Sequence, residues 1–493
     1  MNLSEVEFAF FFPLVFAVYW LLPRRAAWQN AFLLAASYVF YWTWNPRLIP
    51  LLLAATAVDY AVGRGLGNDA SRDPAPSGGR RRALLGLSLA FNLGVLGFFK
   101  YSGFFAESLN ALFGRLGLHP SLPVLHLVLP LGLSYYTLQK IGYVVDVYYG
   151  RQEPCRSPLD FAVFTAFFPQ MIAGPISRAS QLLPQLAAAR TLEPDRLASG
   201  ALTYLVGFAQ KAYVADYLGR YLVAPVFANE AGYSVGGHWL GLVGFALQVF
   251  CDFAGYSLLA MGCARMLGLE LPVNFTTPFL ATSLFDFWRR WHITLNTWLF
   301  EFIYTPLITG RGIFRGRFDA ALLVTFLASG LWHGAQATFV VWGLAQGLGL
   351  VVVRRWDDFY RGLCRKDRAW VARRRSAFYE AVAWVLTQAF FLLTLVPFRA
   401  PSLGAASSFV QGLFVSAAPV SPPLGDAKVV FNLGMSLLFV VAYHVLSSER
   451  GKGLREGFLA LPAPVRGFAY GLAVVFLSIF MPTGSGAFIY AQF

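Results

Sequence analysis

Long apolar stretches separated by short, basic loops run through almost the whole chain, from Phe8 to Met481. Among them are Phe8 to Leu22, Ala83 to Tyr101, Leu122 to Tyr148, Leu159 to Pro175, Ala201 to Val223, Trp239 to Leu267 and Ala320 to Val353. Each is near the roughly 20 residues that a helix needs to cross a bilayer core. The composition agrees: 57% of the residues are hydrophobic and 13% charged, where soluble domains carry about 25% charged residues. The expected fold is all-α and polytopic, with about eleven transmembrane helices in a single multi-pass membrane domain over residues 1–493. The first residues carry Glu5 and Glu7 rather than a basic segment, and no small-residue cleavage site follows. The first apolar stretch is therefore expected to stay as a membrane helix.

The net charge of +14 would suggest nucleic acid in a soluble protein. Here it reflects topology, because cytoplasmic loops of membrane proteins collect Lys and Arg. No nucleic-acid partner is expected; membrane lipids are. Arg64 to Arg82 holds five Arg, and Arg354 to Arg375 holds nine Lys or Arg. Both loops, and the basic stretch from Arg450 to Arg466, are assigned to the cytoplasm. Asn229 to His238 and Ala400 to Asp426 carry almost no basic charge and suit the outer face.

This orientation restricts the segment Ala320 to Val353. Arg311, Arg315 and Arg317 precede it and the nine-charge loop follows, so both flanks are cytoplasmic and the segment must go in and come back. The break is expected at Ser329-Gly330-Leu331-Trp332-His333-Gly334, where two glycines weaken a helix. A first limb from Ala320 to Ala328 would rise about 13 Å and place His333 near mid-membrane. Broken backbone at that depth is tolerated only where it is buried in protein or lines a cavity. Pro169, Gly174 and Pro175 interrupt Leu159 to Pro175 in the same way, between flanking arginines.

An ionisable group at such depth is a functional candidate by default. His333 can take a proton from a hydroxyl as that hydroxyl attacks. The alternative is a histidine that only bonds a neighbouring helix. His292 closes the run Phe287-Trp-Arg-Arg-Trp-His. On a continuous helix Trp288, Arg289, His292 and Asn296 share one face, while Arg290 and Trp291 point elsewhere and suit an interfacial anchor. Asp252 in Asp-Phe-Ala-Gly-Tyr256 is costly unless paired, with Arg289 or His292 as its expected partner. Lys140 reads either as a polar insertion or as a lysine snorkelling to an interface. His119, His126, His238 and His444 look peripheral. The four cysteines show no metal-ligand spacing, and no phosphate-binding loop, nucleophile elbow or metal-binding histidine helix is present. No metal and no bound cofactor are expected.

At these residues the chain resembles the membrane-bound O-acyltransferase family. It is most similar to the bacterial branch serving alginate O-acetylation, with the D-alanyl-lipoteichoic acid transferase as a cousin. The motifs are Phe168-Pro169, Ala173-Gly-Pro175, Asp252 to Tyr256, Asn274-Phe275 with Pro278-Phe279, Phe287 to His292, and Leu331-Trp332-His333-Gly334. Two departures stand out. Phe300-Glu301-Phe302 replaces the branch's Arg-Asp-Tyr, and Thr305 to Thr309 alters a following Pro-Leu-Gly-Gly run.

The resemblance implies a ring of helices with re-entrant segments around a thin central region. N-terminal helices would fill 1–121, a catalytic core 122–353, and C-terminal helices with an outer-face tail 354–493. It implies an O-acyltransferase of the bacterial cytoplasmic (inner) membrane that takes an acyl group from a thioester, acetyl-CoA or an acyl carrier protein. The acceptor would be a cell-surface or secreted polysaccharide, reached with an SGNH-type extracytoplasmic acetyltransferase as partner. His333 becomes the essential histidine and His292 the second. Asn296, Arg289, Trp288, Asp252, Tyr256, Trp332 and Asn274 would support the chamber. The ending Phe488-Ile-Tyr490-Ala-Gln-Phe493 resembles a Phe-x-Tyr-x-x-Phe tail in which the tyrosine is an acyl relay, so Tyr490 is a relay candidate beside the plainer reading of an aromatic anchor. Rival readings are D-alanyl transfer from an acidic carrier docked on the basic loops, and a transporter or flippase.

Overall fold

A computed structural model describes residues 1–70, 78–118, 122–124, 127–228, 232–415, 427–448 and 451–482. Every regular element among the described residues is helical. Seven of these helices are long and apolar enough to cross a membrane, and two shorter apolar helices, Val6–Leu21 and Phe318–His333, accompany them. The chain is thus an all-helical, multi-pass membrane protein. Its residues group into two compact units, Met1–Tyr204 with Ser257–Pro272, and Leu205–Tyr256 with Val273–Phe493.

In the first unit, helix starts follow local chemistry. Asn45 precedes Pro46 and accepts from the Arg47 N–H at 3.0 Å. Ser157 precedes Pro158 and accepts from the Asp160 N–H at 3.1 Å. A side-chain acceptor followed by proline satisfies the first orphan donors of a helix. Among the described residues of Leu122 to Tyr148 the helix is Leu133–Tyr148, and Gly132 before it takes a left-handed φ of 69°. Leu159 to Pro175 is interrupted as its prolines dictate, into Pro158–Ala166 and Phe168–Met171. Lys140 does not snorkel. It is fully buried, 3.3 Å from Asp59, whose carboxylate also accepts from Ser88 and Asn92. A charge this deep needs a partner, and here the cluster draws its members from three helices.

The second unit carries both histidines. Its first part departs from the single helix expected over Ala201 to Val223. After Pro194–Phe208 the chain takes two wide π-helical stretches, Ala209–Ala215 and Gly219–Val223. The wider turn delivers Lys211 toward the helix Val235–Met266, where its Nζ lies 2.7 Å from Asp252 and 2.7 Å from Asp216. Gly255 permits this approach, since a Cβ there would stand 2.8 Å from the Gly207 carbonyl oxygen and 2.9 Å from the Lys211 nitrogen. Asp252 therefore pairs with Lys211, not with Arg289 or His292 as its sequence neighbourhood suggested.

Phe318–His333 and Ala337–Lys366 form a helical hairpin joined by a three-residue turn. The chain reverses where expected, but the helix does not weaken at Ser329-Gly330. It continues to His333, so the first limb spans 16 residues and about 24 Å, longer than the limb of about 13 Å expected from sequence. Gly330 is a contact point instead. A Cβ there would meet the Phe339 carbonyl oxygen at 2.3 Å, and one at Gly343 would meet that of Phe326 at 2.5 Å. Small residues that bring helix backbones together are a recurrent device of membrane interfaces. At the far end of the hairpin Asp319 pairs with Arg354 and Arg355.

Candidate active site

The run Leu284 to Leu299 is not one helix. Ser283 caps a single turn, Leu284–Trp288, by accepting from the Asp286 N–H at 3.1 Å. The chain then breaks, and a second helix, Ile293–Leu299, begins after His292. His292 has φ 44° and is the one non-glycine residue with positive φ among the described residues. Such a backbone persists only when its surroundings impose it, and marks a site worth inspecting. Here Asn296 imposes it: its amide nitrogen donates to the carbonyls of Trp291 at 2.7 Å, Trp288 at 3.1 Å and His292 at 3.2 Å. The segment at Asn274 seals the other side, its carbonyl accepting from the Ile293 N–H at 2.9 Å.

The break redistributes the side chains that a continuous helix would align. Arg289 is exposed, and Trp291 is buried among Phe275, Phe287 and Phe391 rather than set at an interface. Arg290 pairs with Asp286 and the Thr277 hydroxyl. Trp288 and His292 stay buried.

The protonation of His292 follows from one neighbour. Asn274 Oδ1 accepts from the Thr294 backbone N–H at 3.3 Å and its hydroxyl at 2.9 Å. The backbone donor fixes that atom as the oxygen. His292 Nδ1, 3.1 Å from the same oxygen, must therefore carry the proton. Nε2 is left as an acceptor, buried and without a hydrogen-bond partner. His292 lies outside the apolar spans, and burial pushes its pKa down to about 3, which holds the ring neutral.

His333 ends its helix, buried. The Trp332 ring lies against both histidines, its centroid 4.9 Å from His333 and 5.9 Å from His292. Trp342, from the returning limb of the hairpin, is edge-on to His333 at 5.0 Å, and Phe398 completes that side at 5.2 Å. Trp288 reaches Trp342 at 6.0 Å, while Phe253 stands edge-on to His292 at 4.6 Å. Three further buried polar atoms here have no hydrogen-bond partner: Trp288 Nε1, Trp342 Nε1 and Thr338 Oγ1. Buried polar groups are normally paired, so this concentration marks the region as a candidate site.

The sequence candidates thus divide. His333, His292, Trp288, Trp332 and Asn274 come together. Asn296 holds the turn rather than lining the chamber. Asp252 belongs to the Lys211 cluster, with Tyr256 fully buried one turn further along its helix. Tyr490, with His119 and His126, lies outside the described residues. Sequence reasoning misses Trp342, Thr338, Phe253 and Phe398. The hairpin pairing, which sets Trp342 opposite His333, is the signal for Trp342 and Thr338; Phe253 falls within the motif Asp252 to Tyr256. His238 and His444 are buried, not peripheral: His238 packs on Phe409, and His444 stacks on Phe279 and lies against Phe250. Among the described residues no three His, Cys, Asp or Glu side chains group as a metal site.

Comparison with known proteins identifies a family. The profile described as "MBOAT, membrane-bound O-acyltransferase family" matches residues 155–396. The chain is 38% identical to "Probable alginate O-acetylase AlgI" of Azotobacter vinelandii over 71% of this chain and 68% of that protein. To the protein of that name from Pseudomonas putida it is 34% identical over 83% and 79%. To "Peptidoglycan O-acetyltransferase" of Helicobacter pylori it is 31% identical over 82% and 77%.

Proposed function

Because the chain belongs to the membrane-bound O-acyltransferase family, we propose that it takes an acetyl group from a cytoplasmic thioester and moves it across the membrane to O-acetylate a cell-surface or secreted polysaccharide. The observation that carries this reading is the buried pair His333 and His292, joined through the Trp332 ring. The relatives that cover most of the chain are named as O-acetylases of alginate or peptidoglycan, which favours a carbohydrate hydroxyl as the final acceptor. The membrane is the bacterial cytoplasmic membrane, and the basic loops face the thioester side.

His333 is the general base. It takes the proton of the attacking hydroxyl as the new C–O bond forms, then returns it to the thiolate when the C–S bond breaks. His292 has a different task. Neutral, and with an acceptor Nε2, it cannot stabilise negative charge on a carbonyl oxygen, but it orients a substrate O–H or N–H. Tyr490 is the proposed first acceptor, handing the acetyl ester to an SGNH-type transferase outside the membrane. A second reading, D-alanyl transfer from an acidic carrier protein, draws on the exposed arginines between Arg355 and Arg373. It also draws on similarity to a "Teichoic acid D-alanyltransferase" of Streptococcus thermophilus, 27% identical over 46% of this chain.

Membranes supplied with radiolabelled acetyl-CoA test the first reading. Wild type is expected to transfer label to protein or polymer, His333→Ala to lose at least about 10³-fold in rate at normal expression, and Tyr490→Phe to lose the protein-bound label. Transfer from a charged carrier protein alone would replace acetyl transfer with the second reading.

A further inference from the structure

Acyl transfer needs more than a base. When the hydroxyl attacks the thioester, the carbonyl oxygen gains negative charge, and preorganised donors aimed at that oxygen usually contribute more to the rate than any other single effect. The polar site residues named from sequence are not available for it. The Asn296 amide is spent on three backbone carbonyls. Arg289 is exposed. His292 presents an acceptor, fixed by the Thr294–Asn274 bond. His333 must accept a proton at the same moment.

We propose that the indole N–H groups of Trp288 and Trp342 are the hydrogen-bond donors that hold the acyl carbonyl oxygen in the transition state, with the Thr338 hydroxyl as an auxiliary donor. This rests on the acyl-transfer reading and adds the residues that stabilise its charge. Both tryptophans are buried, 7% and 3% exposed, and neither Nε1 has a hydrogen-bond partner. A buried indole N–H ordinarily finds one. Two unpartnered indoles in ring contact with each other, one edge-on to the base His333, are the arrangement expected when the acceptor comes with the substrate. Thr338 lies one helical turn before Trp342, on the same face of its helix, and its buried hydroxyl is also unpartnered. The rings are held independently of their N–H groups: Trp288 packs on Phe326, and Trp342 on Phe398.

Atoms and charges balance through the step. The hydroxyl oxygen bonds to the carbonyl carbon, its proton passes to His333, and the C=O electron pair moves onto oxygen under the indole N–H groups. Collapse re-forms C=O, breaks C–S, and the departing thiolate takes the proton from His333.

The test is steady-state transfer by the full-length protein in nanodiscs, with acetyl-CoA as donor. Trp342→Phe and Trp288→Phe keep an aromatic ring and remove the donor. Each is expected to lower kcat by about 10²–10³-fold with KM within about twofold, because ground-state packing of the thioester survives. Trp342→His, which retains a ring N–H, should recover part of the loss. If either Phe variant fails to fold, benzothienylalanine at the same position keeps the bicyclic shape without the N–H and must show the same kcat loss. A folded variant lacking both donors that stays within about threefold of wild-type kcat overturns the proposal, as does a loss confined to KM. Wild type inactive with every thioester tried overturns the acyl-transfer reading itself, so the two failures are told apart.

Discussion

Two buried polar clusters in the second unit are reached from neighbouring residues of one helix, Asp252 and Phe253. At Asp252 the charges are paired: Lys211 meets two carboxylates at 2.7 Å each. At Phe253, one residue on, the side chain leads to His292, and beyond it stand Trp288, Trp342 and Thr338 with polar atoms that the protein does not satisfy. Burying an unpaired polar group costs free energy, so several of them together mark a candidate place for a ligand to complete. The Lys211 cluster holds helices together. The histidine cluster, beside the glycine-lined hairpin, keeps unpartnered polar atoms instead, which the proposed acyl transfer would use for its substrate.

The contrast between the two clusters meets its strongest test at Lys211. Lys211→Met strips the shared cation from two buried carboxylates and should cost about 3–5 kcal/mol, read as a large fall in melting temperature in detergent or loss of folded protein. A variant that melts like wild type would mean the triad is not what secures this helix. An intermediate effect is expected at the hairpin. In Gly330→Ala the added methyl meets the Phe339 carbonyl, and overpacking of this kind costs about 1–3 kcal/mol. The limbs must separate three residues before His333, so acyl transfer should fall by up to about 10²-fold, the scale of a 1 Å misplacement. Unchanged rate in a folded protein would show that the hairpin contact does not position His333.

The smallest effect is a pH dependence. Folded His292 is held neutral, with its pKa at about 3, while the unfolded chain binds a proton below the ordinary histidine value near 6.5. Its contribution to stability is therefore complete above about pH 6.5 and is lost as pH falls through that value toward 3. Melting temperature measured from about pH 7.5 to about pH 4.5, a span that crosses the unfolded value, should drop less steeply in His292→Asn than in wild type. Parallel curves would show that this ring does not fold in neutral form.

Much of this was legible in the sequence. The apolar stretches gave the helices, and the arginines on both sides of Ala320 to Val353 required a reversal, which the structure places at Gly334 beside His333. The interruption near Pro169 was equally readable, because proline acts locally. What could not be read were consequences of partners distant in sequence. Nothing in Phe287-Trp-Arg-Arg-Trp-His shows that Asn274 and Asn296 will hold a left-handed turn and send Arg289 outward. Lys211 is hidden because a π-helical stretch alters which face it occupies. Trp342 is invisible until the hairpin folds it back onto His333.

The left-handed backbone at His292 also governs how substitutions there must be read. A φ of 44° is tolerated by glycine and, among residues with a Cβ, most readily by Asn, Asp and His. An alanine at 292 would lose the imidazole and oppose the turn at once, so its phenotype would mix lost chemistry with a displaced Trp288 and a shifted helix start. Asparagine suits the turn and changes only what the ring contributes. The position accepts a short list of side chains for reasons of main-chain geometry, and whatever reactivity this chain displays there has been selected from within that list.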